Sequence, residues 1–513
     1  MKILEMKGIT KNFPGVLAND NISLEINKGE IHALVGENGS GKSTLMNILY
    51  GLYQADQGQI RIRGQLVEIT EPSQAIARGI GMVFQHFMLV QPLTVMENII
   101  LGSEPARGPF IDYRKAEKSV RELSAEYGLK INPLALIQDI SVGMQQRVEI
   151  LKALYRGAEI LVLDEPSAVL TPQEVEDLFR VMESLRQQGT SIIFITHKIK
   201  EVMRISDRVT VLRRGQMVGT RVTSETSPEE LAEMMVGRSV LLRVDKSEAE
   251  PGPKQLEIKG LRVSDPEGTI RIPDLSFQIH RGEVLGIAGV EGNGQLELVE
   301  TIVGLRNPDQ GEILLKDNHL EGLSPLKIKK QGVGYIPEDR HKRGLILDYS
   351  IADNLILGLH TAPPFVERLM IRNESAIKNN ARQLVEEYDI RPPRTEQEAR
   401  KLSGGNQQKI VVAREFSQSP GLLICSQPTR GLDIGAIEFI HRRIIEQRDQ
   451  GAAVLLVSAE LDEILSLSDR IAVIYEGQFV DLMPAAEATE QKLGYLMLGG
   501  EKGEKNETTT EEV

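Results

Sequence analysis

The chain is written twice. Lys7 and Gly8 recur at Lys259 and Gly260, 252 residues on; Lys28 to Glu30 return as Arg281 to Glu283, and Gly36 as Gly289, 253 residues on. Further along, ISVGMQQR from Ile140 pairs with LSGGNQQK from Leu402, ILVLDEPSAVL with LLICSQPTRGL, and SDRVTVLRRGQ from Ser206 with SDRIAVIYEGQ from Ser468, all at an offset of 262. The step from 253 to 262 places a net insertion of nine residues in the second copy, between about Glu338 and Leu402. Two copies of this length are two similar domains, since one hydrophobic core stops growing well short of 513 residues. We expect a first domain over 1–240, a linker over 241–255, a second domain over 256–500 and a tail over 501–513. The stretch VDKSEAEPGPKQ from Val244 has the charge, Pro and Gly of a linker, and the polar tail EKGEKNETTTEEV has the composition of a disordered end.

Within each copy, apolar runs such as EIHALVG, EILVLDE and SIIFITH alternate with helical patterns such as KSTLMNILYGL and PQEVEDLFRVMESLRQQG. Strands that are apolar throughout and separated by helices predict a mainly parallel sheet covered on both faces, so the class is α/β, twice. No window offers the 18 or more uninterrupted apolar residues of a spanning helix, and the start, MKILEMKGIT, lacks a signal-peptide core. A formal net charge of -13 argues against broad nucleic-acid binding. The single cysteine, Cys425, excludes an internal disulfide and a cysteine-rich zinc site and fits the cytosol.

The first copy carries a phosphate-binding pattern. GENGSGKST, Gly36 to Thr44, fits G-x-x-x-x-G-K-[ST] and stands between a strand and a helix. In such a loop the backbone amides of Gly36, Glu37, Asn38, Gly39, Ser40, Gly41 and Thr44 converge on phosphate oxygens at a positive helix N-terminus, Lys42 reaches the β and γ phosphates, and the Ser43 hydroxyl is offered to Mg²⁺. ILVLDEP then places Asp164 and Glu165 at the C-terminal end of a buried strand, where ligands collect in open α/β sheets. Asp164 suits Mg²⁺ held through water, and Glu165 suits polarisation of an attacking water.

With these motifs in order, the chain resembles an ATP-binding-cassette ATPase with two cassettes fused in one polypeptide, over about residues 1 to 500. The resemblance implies two tandem P-loop nucleotide-binding domains, each with a mainly parallel sheet and an α-helical subdomain, and ATP and Mg²⁺ as cofactors. It matches the family's glutamine loop to Gln85 in GMVFQHFMLV, near the metal and the attacking water. It matches the switch histidine to His197 in FITHK, the adenine-stacking aromatic to Phe13 in KNFPG, and the signature motif to SVGMQQR and SGGNQQ.

The second copy departs where the chemistry sits. Gln295 stands for Lys42, Leu296 for Ser43, Ser426 and Gln427 for Asp164 and Glu165, Ala459 for His197, Glu338 for Gln85, and the match to Phe13 falls near Asp265. Each change removes a charge, metal ligand, stacking surface or proton partner that hydrolysis uses, so the second loop is expected to be catalytically dead and at most to hold nucleotide passively. The signature motifs are asymmetric the other way: Ser403, Gly404 and Gly405 are intact, whereas Val142 replaces the first glycine of the first copy. In the family two cassettes close head to tail around ATP. The intact loop would then meet the intact signature, giving one working composite site and one structural one, with closure expected within one chain.

The resemblance further implies two membrane permease subunits as partners, an extracytoplasmic substrate-binding protein acting indirectly, and a peripheral position at the cytoplasmic face of the membrane. HFMLVQPLTVMENIILG after Gln85, with Met88 and Met96, has the look of a docking groove for a permease helix. TPQE after DEPSAVL, the GNGQ second loop and QPTRGLD resemble importers of monosaccharides and nucleosides. Thr171 stands where many cassettes have a D-loop aspartate, which Asp433 retains. The HFMLV wording is nearer the nucleoside branch, with ribose, galactose or riboflavin as the other substrates to weigh. Soluble twin cassettes of translation or DNA repair fit less well, because the linker is short, one site is degenerate and zinc-binding cysteines are missing.

Overall fold

The computed structural model describes residues 1–14, 16–85, 87–167, 170, 172–238, 246–367 and 371–500. The tail 501–513, Thr171 and the first part of the expected linker, 241–245, lie outside the described residues. The chain divides into two compact units, Met1–Leu242 and Arg243–Val513.

In unit 1 a six-stranded sheet runs in the order Gln216–Val222, Arg208–Arg213, Ile31–Val35, Ser191–Thr196, Ile160–Asp164, Ile80–Val83. All neighbours are parallel except the hairpin made by the first two. The three central strands are buried at every residue. Their side chains alternate between two cores. Ile160, Val162, Ile193 and Ile195 point into a cluster with Leu45, Met46 and Leu49 of the helix Lys42–Leu49. Leu161, Leu163, Ile192 and Phe194 point into one with Val148 and Leu151 of the helix Val142–Tyr155 and with Leu178, Phe179 and Met182 of the helix Pro172–Gln187. Burial on both faces is why these strands read as apolar throughout.

A second sheet, of four antiparallel strands, was not evident from the sequence: Val16–Asn27, Lys2–Phe13, Gln57–Ile62, Gln65–Val67. Its inner face (Leu4, Met6, Ile9, Ile22, Leu24, Ile26) covers the helix Lys42–Leu49 from the side away from the large sheet. Register shifts between Met6 and Ile9 and between Ile9 and Lys11 break the alternation that normally betrays such a strand. On the other side of the large sheet the helices Val95–Ile100, Tyr113–Glu126 and Val142–Tyr155 pack together as a helical layer.

Unit 2 repeats the plan. Its six-stranded sheet runs Gln478–Pro484, Arg470–Tyr475, Val284–Ala288, Ala453–Ser458, Leu422–Ser426, Val333–Ile336, and its antiparallel sheet pairs Ile270–His280, Lys254–Ser264, Gln310–Leu315 and Asn318–His319. Its helical layer holds Ile351–Leu355, Glu374–Glu387 and Gly404–Phe416. The described end of the expected linker is fastened to this unit. Lys246 Nζ donates to the carbonyls of Leu467 and Ser468 and pairs with Asp469, and the fully buried Arg448 donates to the Ser247 carbonyl at 3.0 Å.

Among the described residues no helix is long and apolar enough to cross a membrane.

Candidate functional site

The phosphate loop of unit 1 leaves the buried strand Ile31–Val35 and enters the helix at Lys42. At Gly41, φ is +99° and a side chain would strike the Ala18 carbonyl, so glycine is required on both counts. Three bonds hold the loop's curve: the Ser40 amide to the Glu37 carbonyl (3.1 Å), the Gly215 amide to the Ser40 carbonyl (3.1 Å), and Asn19 Nδ2 to the Gly41 carbonyl (3.0 Å). Gly36 is buried, Glu37 and Thr44 are half-buried, and Asn38, Gly39 and Ser43 are exposed.

Lys42 is buried, and its Nζ donates to the Gly36 carbonyl at 2.8 Å and the Glu37 carbonyl at 3.0 Å. Burial holds this ammonium below its ordinary range, while Glu165, Asp164 and Glu37 draw it back up. The Ser40 hydroxyl oxygen is buried with no hydrogen-bond partner. An orphaned hydroxyl and a desolvated cation in one curved loop fit an incoming phosphate, which would supply acceptors and the missing negative charge.

The two carboxylates stand at the end of the strand Ile160–Asp164. Asp164 is buried and hydrogen-bonds the Ser43 hydroxyl; burial raises its carboxyl above the usual carboxylate range. A carboxylate and a hydroxyl in contact are the oxygen ligands that Mg²⁺ takes, so these residues fit the ion. Glu165 adopts φ +47°, with its amide on the Ile195 carbonyl. Its two oxygens have separate partners: Oε2 accepts from Gln85 Nε2 at 3.2 Å, and Oε1 faces His197 Nδ1 at 3.1 Å. The histidine holds the Glu165 carboxyl below its ordinary range, against the opposing effect of burial. Five residues named from the sequence, Lys42, Asp164, Glu165, Gln85 and His197, thus form one electrostatic cluster. Phe13 ends the strand Lys2–Phe13, half-buried and edge-on to Tyr53, with centroids 5.4 Å apart.

Unit 2 keeps the backbone of this site without its charges. Gln295 Nε2 donates to the Val290 carbonyl at 2.9 Å, anchoring the loop much as Lys42 does. Gln427 has φ +47°, the value of Glu165, with its amide on the Val457 carbonyl, and its side chain accepts from the Ala459 amide at 3.2 Å. Where unit 1 presents Gln85, unit 2 presents Glu338, which shares Arg430 Nη1 with Glu291, each at 2.6 Å. The guanidinium therefore ties Glu291 of the degenerate loop to Glu338.

The two signature segments differ in the use of their serine. Ser141 Oγ accepts from the Met144 amide and caps its helix at 3.3 Å, and Val142 is exposed. Ser403 makes no such cap; its Oγ accepts from Asn406 Nδ2 at 2.9 Å, with Gly404 and Gly405 opening the helix Gly404–Phe416.

The segment after Gln85 corrects one expectation. Met96 is 5% exposed, packed with Val95, Ile99 and Ile100 in the helical-layer core; Met88 at 63% and Val90 face out. The short helix beginning at Val95 turns Met96 inward because Thr94 and Glu97 cap it reciprocally. Reading the sequence also assigned no role to Asn19, Gly215 and Tyr53, which reach the loop or Phe13 from distant segments, or to Arg340 and Arg430 of unit 2.

Comparisons with known proteins agree with this architecture. The guanosine import ATP-binding protein NupO of Bacillus subtilis is 53% identical over 502 residues, 98% of each chain. The nucleoside import ATP-binding protein NupA of Lactococcus lactis is 50% identical over 97% of this chain and 98% of that one. The glucose import ATP-binding protein of Haloferax volcanii is 44% identical over 97% and 96%. In fold alone, a crystal structure of an archaeal ribosome recycling factor matches with a TM-score of 0.60 at 18% identity, over 93% of this chain and 90% of that one. The family model described as ABC transporter matches residues 19–168 and 272–430, once in each unit. The chain belongs to the ABC transporter family.

Proposed function

We propose that this chain is the ATP-hydrolysing subunit of a nucleoside importer, docked as a peripheral protein on the cytoplasmic face of two membrane permease subunits that receive solute from an extracytoplasmic binding protein. The observation that carries the ATPase reading is the Glu165 carboxylate held between Gln85 and His197 beside the Lys42 loop, a set present in unit 1 and dismantled in unit 2. The nucleoside reading is supported by 53% and 50% identity to importers of guanosine and nucleosides, against 44% for a glucose importer.

In this mechanism the amides of residues 36 to 44 and the Lys42 ammonium bind the phosphates, and Phe13 stacks on the adenine. Ser43, Asp164 and Gln85 would hold Mg²⁺, which would offset the phosphate charge. Glu165, ionised at neutral pH, accepts the proton of the attacking water, and His197 fixes its orientation. Ser403, Gly404 and Gly405 complete the same site when the two cassettes of one chain close on ATP, and loss of the γ-phosphate releases them. That opening and closing is the motion passed to the permease.

The test is uptake of labelled nucleosides, and of labelled ribose and galactose, into cells lacking this chain, rescued by wild type or by Glu165→Gln. Nucleoside uptake restored by wild type alone is the expected result. Sugar uptake that follows the chain would transfer the substrate reading to the sugar branch; no response of either would overturn the importer reading.

A further inference from the structure

The duplicated sequence allows each residue of one signature segment to be compared with its counterpart in the other, and one pair of positions has exchanged character together. In unit 2 the segment that follows the Gln85-equivalent position forms a tight turn, Arg340–Gly344, capped by the Asp339 side chain, which accepts from the amides of His341 and Lys342. Arg340 projects from the start of this turn toward the signature helix. Its Nη1 donates to the Arg430 carbonyl at 3.2 Å, and its Nε is buried with no hydrogen-bond partner. A side-chain carbon added at Gly404 would lie 2.8 Å from Arg340 Nη2, inside van der Waals contact. At the corresponding positions unit 1 has Phe87 and Val142. Arginine comes with glycine, and phenylalanine with valine.

The two arginines of this region are held differently. Arg430 is neutralised by Glu291 and Glu338. Arg340 has no ion pair with a carboxylate among the described residues, although it is half-buried. Burial pushes this guanidinium below its ordinary range and the adjacent Asp339 carboxylate offsets that only in part, and a group kept at such a cost is retained where its position matters.

Its position ties three segments together. Arg340 follows Glu338 by two residues, Glu338 holds the Arg430 side chain, and Arg340 holds the Arg430 carbonyl. The same guanidinium packs against Gly404, the first residue of the signature helix, next to Ser403.

We infer that Arg340 is a positioning residue of the reaction: it fixes the Ser403–Gly404 start of the signature helix relative to the turn at Arg430, and the bare backbone of Gly404 leaves the room its guanidinium takes. The inference rests on the proposed reading that the unit 2 signature completes the ATP site of unit 1.

The experiment is ATPase kinetics of the full chain with its permease partners, for Arg340→Met, Gly404→Ala and the double variant, beside Ser403→Ala and Glu165→Gln. Arg340→Met is expected to lower kcat about ten-fold, the worth of one hydrogen bond from a charged donor, with the KM for ATP within about two-fold. Gly404→Ala should also lower kcat in the wild-type background, by displacing the guanidinium. In the Arg340→Met background the same change should cost clearly less than in the wild-type background, because the collision with the guanidinium is gone and only the part of the loss that belongs to Gly404's own place in the ATP site remains. Additive losses, or a fall in melting temperature that accounts for the lost rate, would overturn the inference. Normal kcat in Arg340→Met with activity lost in Ser403→Ala and Glu165→Gln would overturn it alone; normal kcat in Ser403→Ala as well would overturn the composite-site reading beneath it.

Discussion

Glu165→Gln is the sharpest single test of the unit 1 site, because the structure separates what the substitution changes from what it leaves alone. The carboxylate receives Gln85 on Oε2 and faces His197 on Oε1, at 3.2 and 3.1 Å. A glutamine has the same shape but only one acceptor oxygen. If its oxygen takes the Gln85 donor, its amide NH₂ faces His197 Nδ1, and the imidazole can meet it by carrying its proton on the other nitrogen. Both contacts therefore survive, and the charge-assisted part of one is lost, worth about 1 kcal/mol of stability. The proposed base is lost altogether. Removing a positioned general base costs about 10² to 10⁴ in rate, or about 3 to 5 kcal/mol of barrier. ATP binding should hold or tighten, since one negative charge near the phosphates is gone. The assays are phosphate release at saturating ATP, ATP affinity by equilibrium dialysis and a thermal melt on the same preparation. A variant that hydrolyses within five-fold of wild type, folded and saturated, would refute the assignment of Glu165 as base and the reasoning from its two-donor cradle.

Other consequences follow from the same geometry. Lys42→Ala should abolish turnover, because it removes the cation and two bonds to the loop carbonyls, whereas Gln295→Ala loses one neutral bond to Val290 and should change turnover less than two-fold; equal losses in steady-state ATPase would mean that both loops work. The histidine holds the Glu165 carboxyl below its ordinary range, so the proposed base stays ionised, and its contribution to stability is present above the unfolded value and disappears as pH falls through the folded one. His197→Ala removes the chief cause, and the acid limb of the residual kcat/KM profile should move up; an unmoved limb would show that another group titrates there. Finally, Lys42→Gln with Asp164→Ser copies the unit 2 residues into unit 1 and removes two groups whose burial opposes their charge, so calorimetry should show the unit 1 transition unchanged or raised by a few degrees, and a clear fall would contradict the desolvation argument.

Much of the site was legible because it is contiguous. Gly36 to Thr44 and Asp164 to Glu165 sit on single stretches whose flanking strands are buried on both faces, and such strands show as unbroken apolar runs. What failed to show was contributed across the fold. Asn19 and Gly215 close the phosphate loop from a strand 22 residues before Gly41 and a turn well after it, and neither carries a local signal of that duty. The antiparallel sheet escaped notice because repeated register shifts along Lys2–Phe13 break its alternation. Met96 was misplaced for a related reason: in a six-residue helix too few turns exist for periodicity to tell an inward methionine from an outward one.

The comparison of Glu165 with Gln427 shows which part of the site belongs to the fold and which to the chemistry. Both residues hold φ +47°, and both give their amide to a carbonyl of the neighbouring strand, Ile195 in one unit and Val457 in the other. A positive φ is uncommon for a residue with a side chain and costs about 1 kcal/mol or more. In unit 1 a functional reason for that cost is at hand, because the turn aims the carboxylate at Gln85 and His197. In unit 2 no carboxylate remains to be aimed, yet the turn persists, with Gln427 accepting from the Ala459 amide. The strained conformation is therefore imposed by the sheet-to-loop connection itself. A fold that carries the geometry whatever side chain is present can lose its lysine, carboxylates and histidine in one copy without losing the copy. The second unit is then free to keep its signature helix and the arginine beside it although its own loop lacks the lysine, the carboxylates and the histidine.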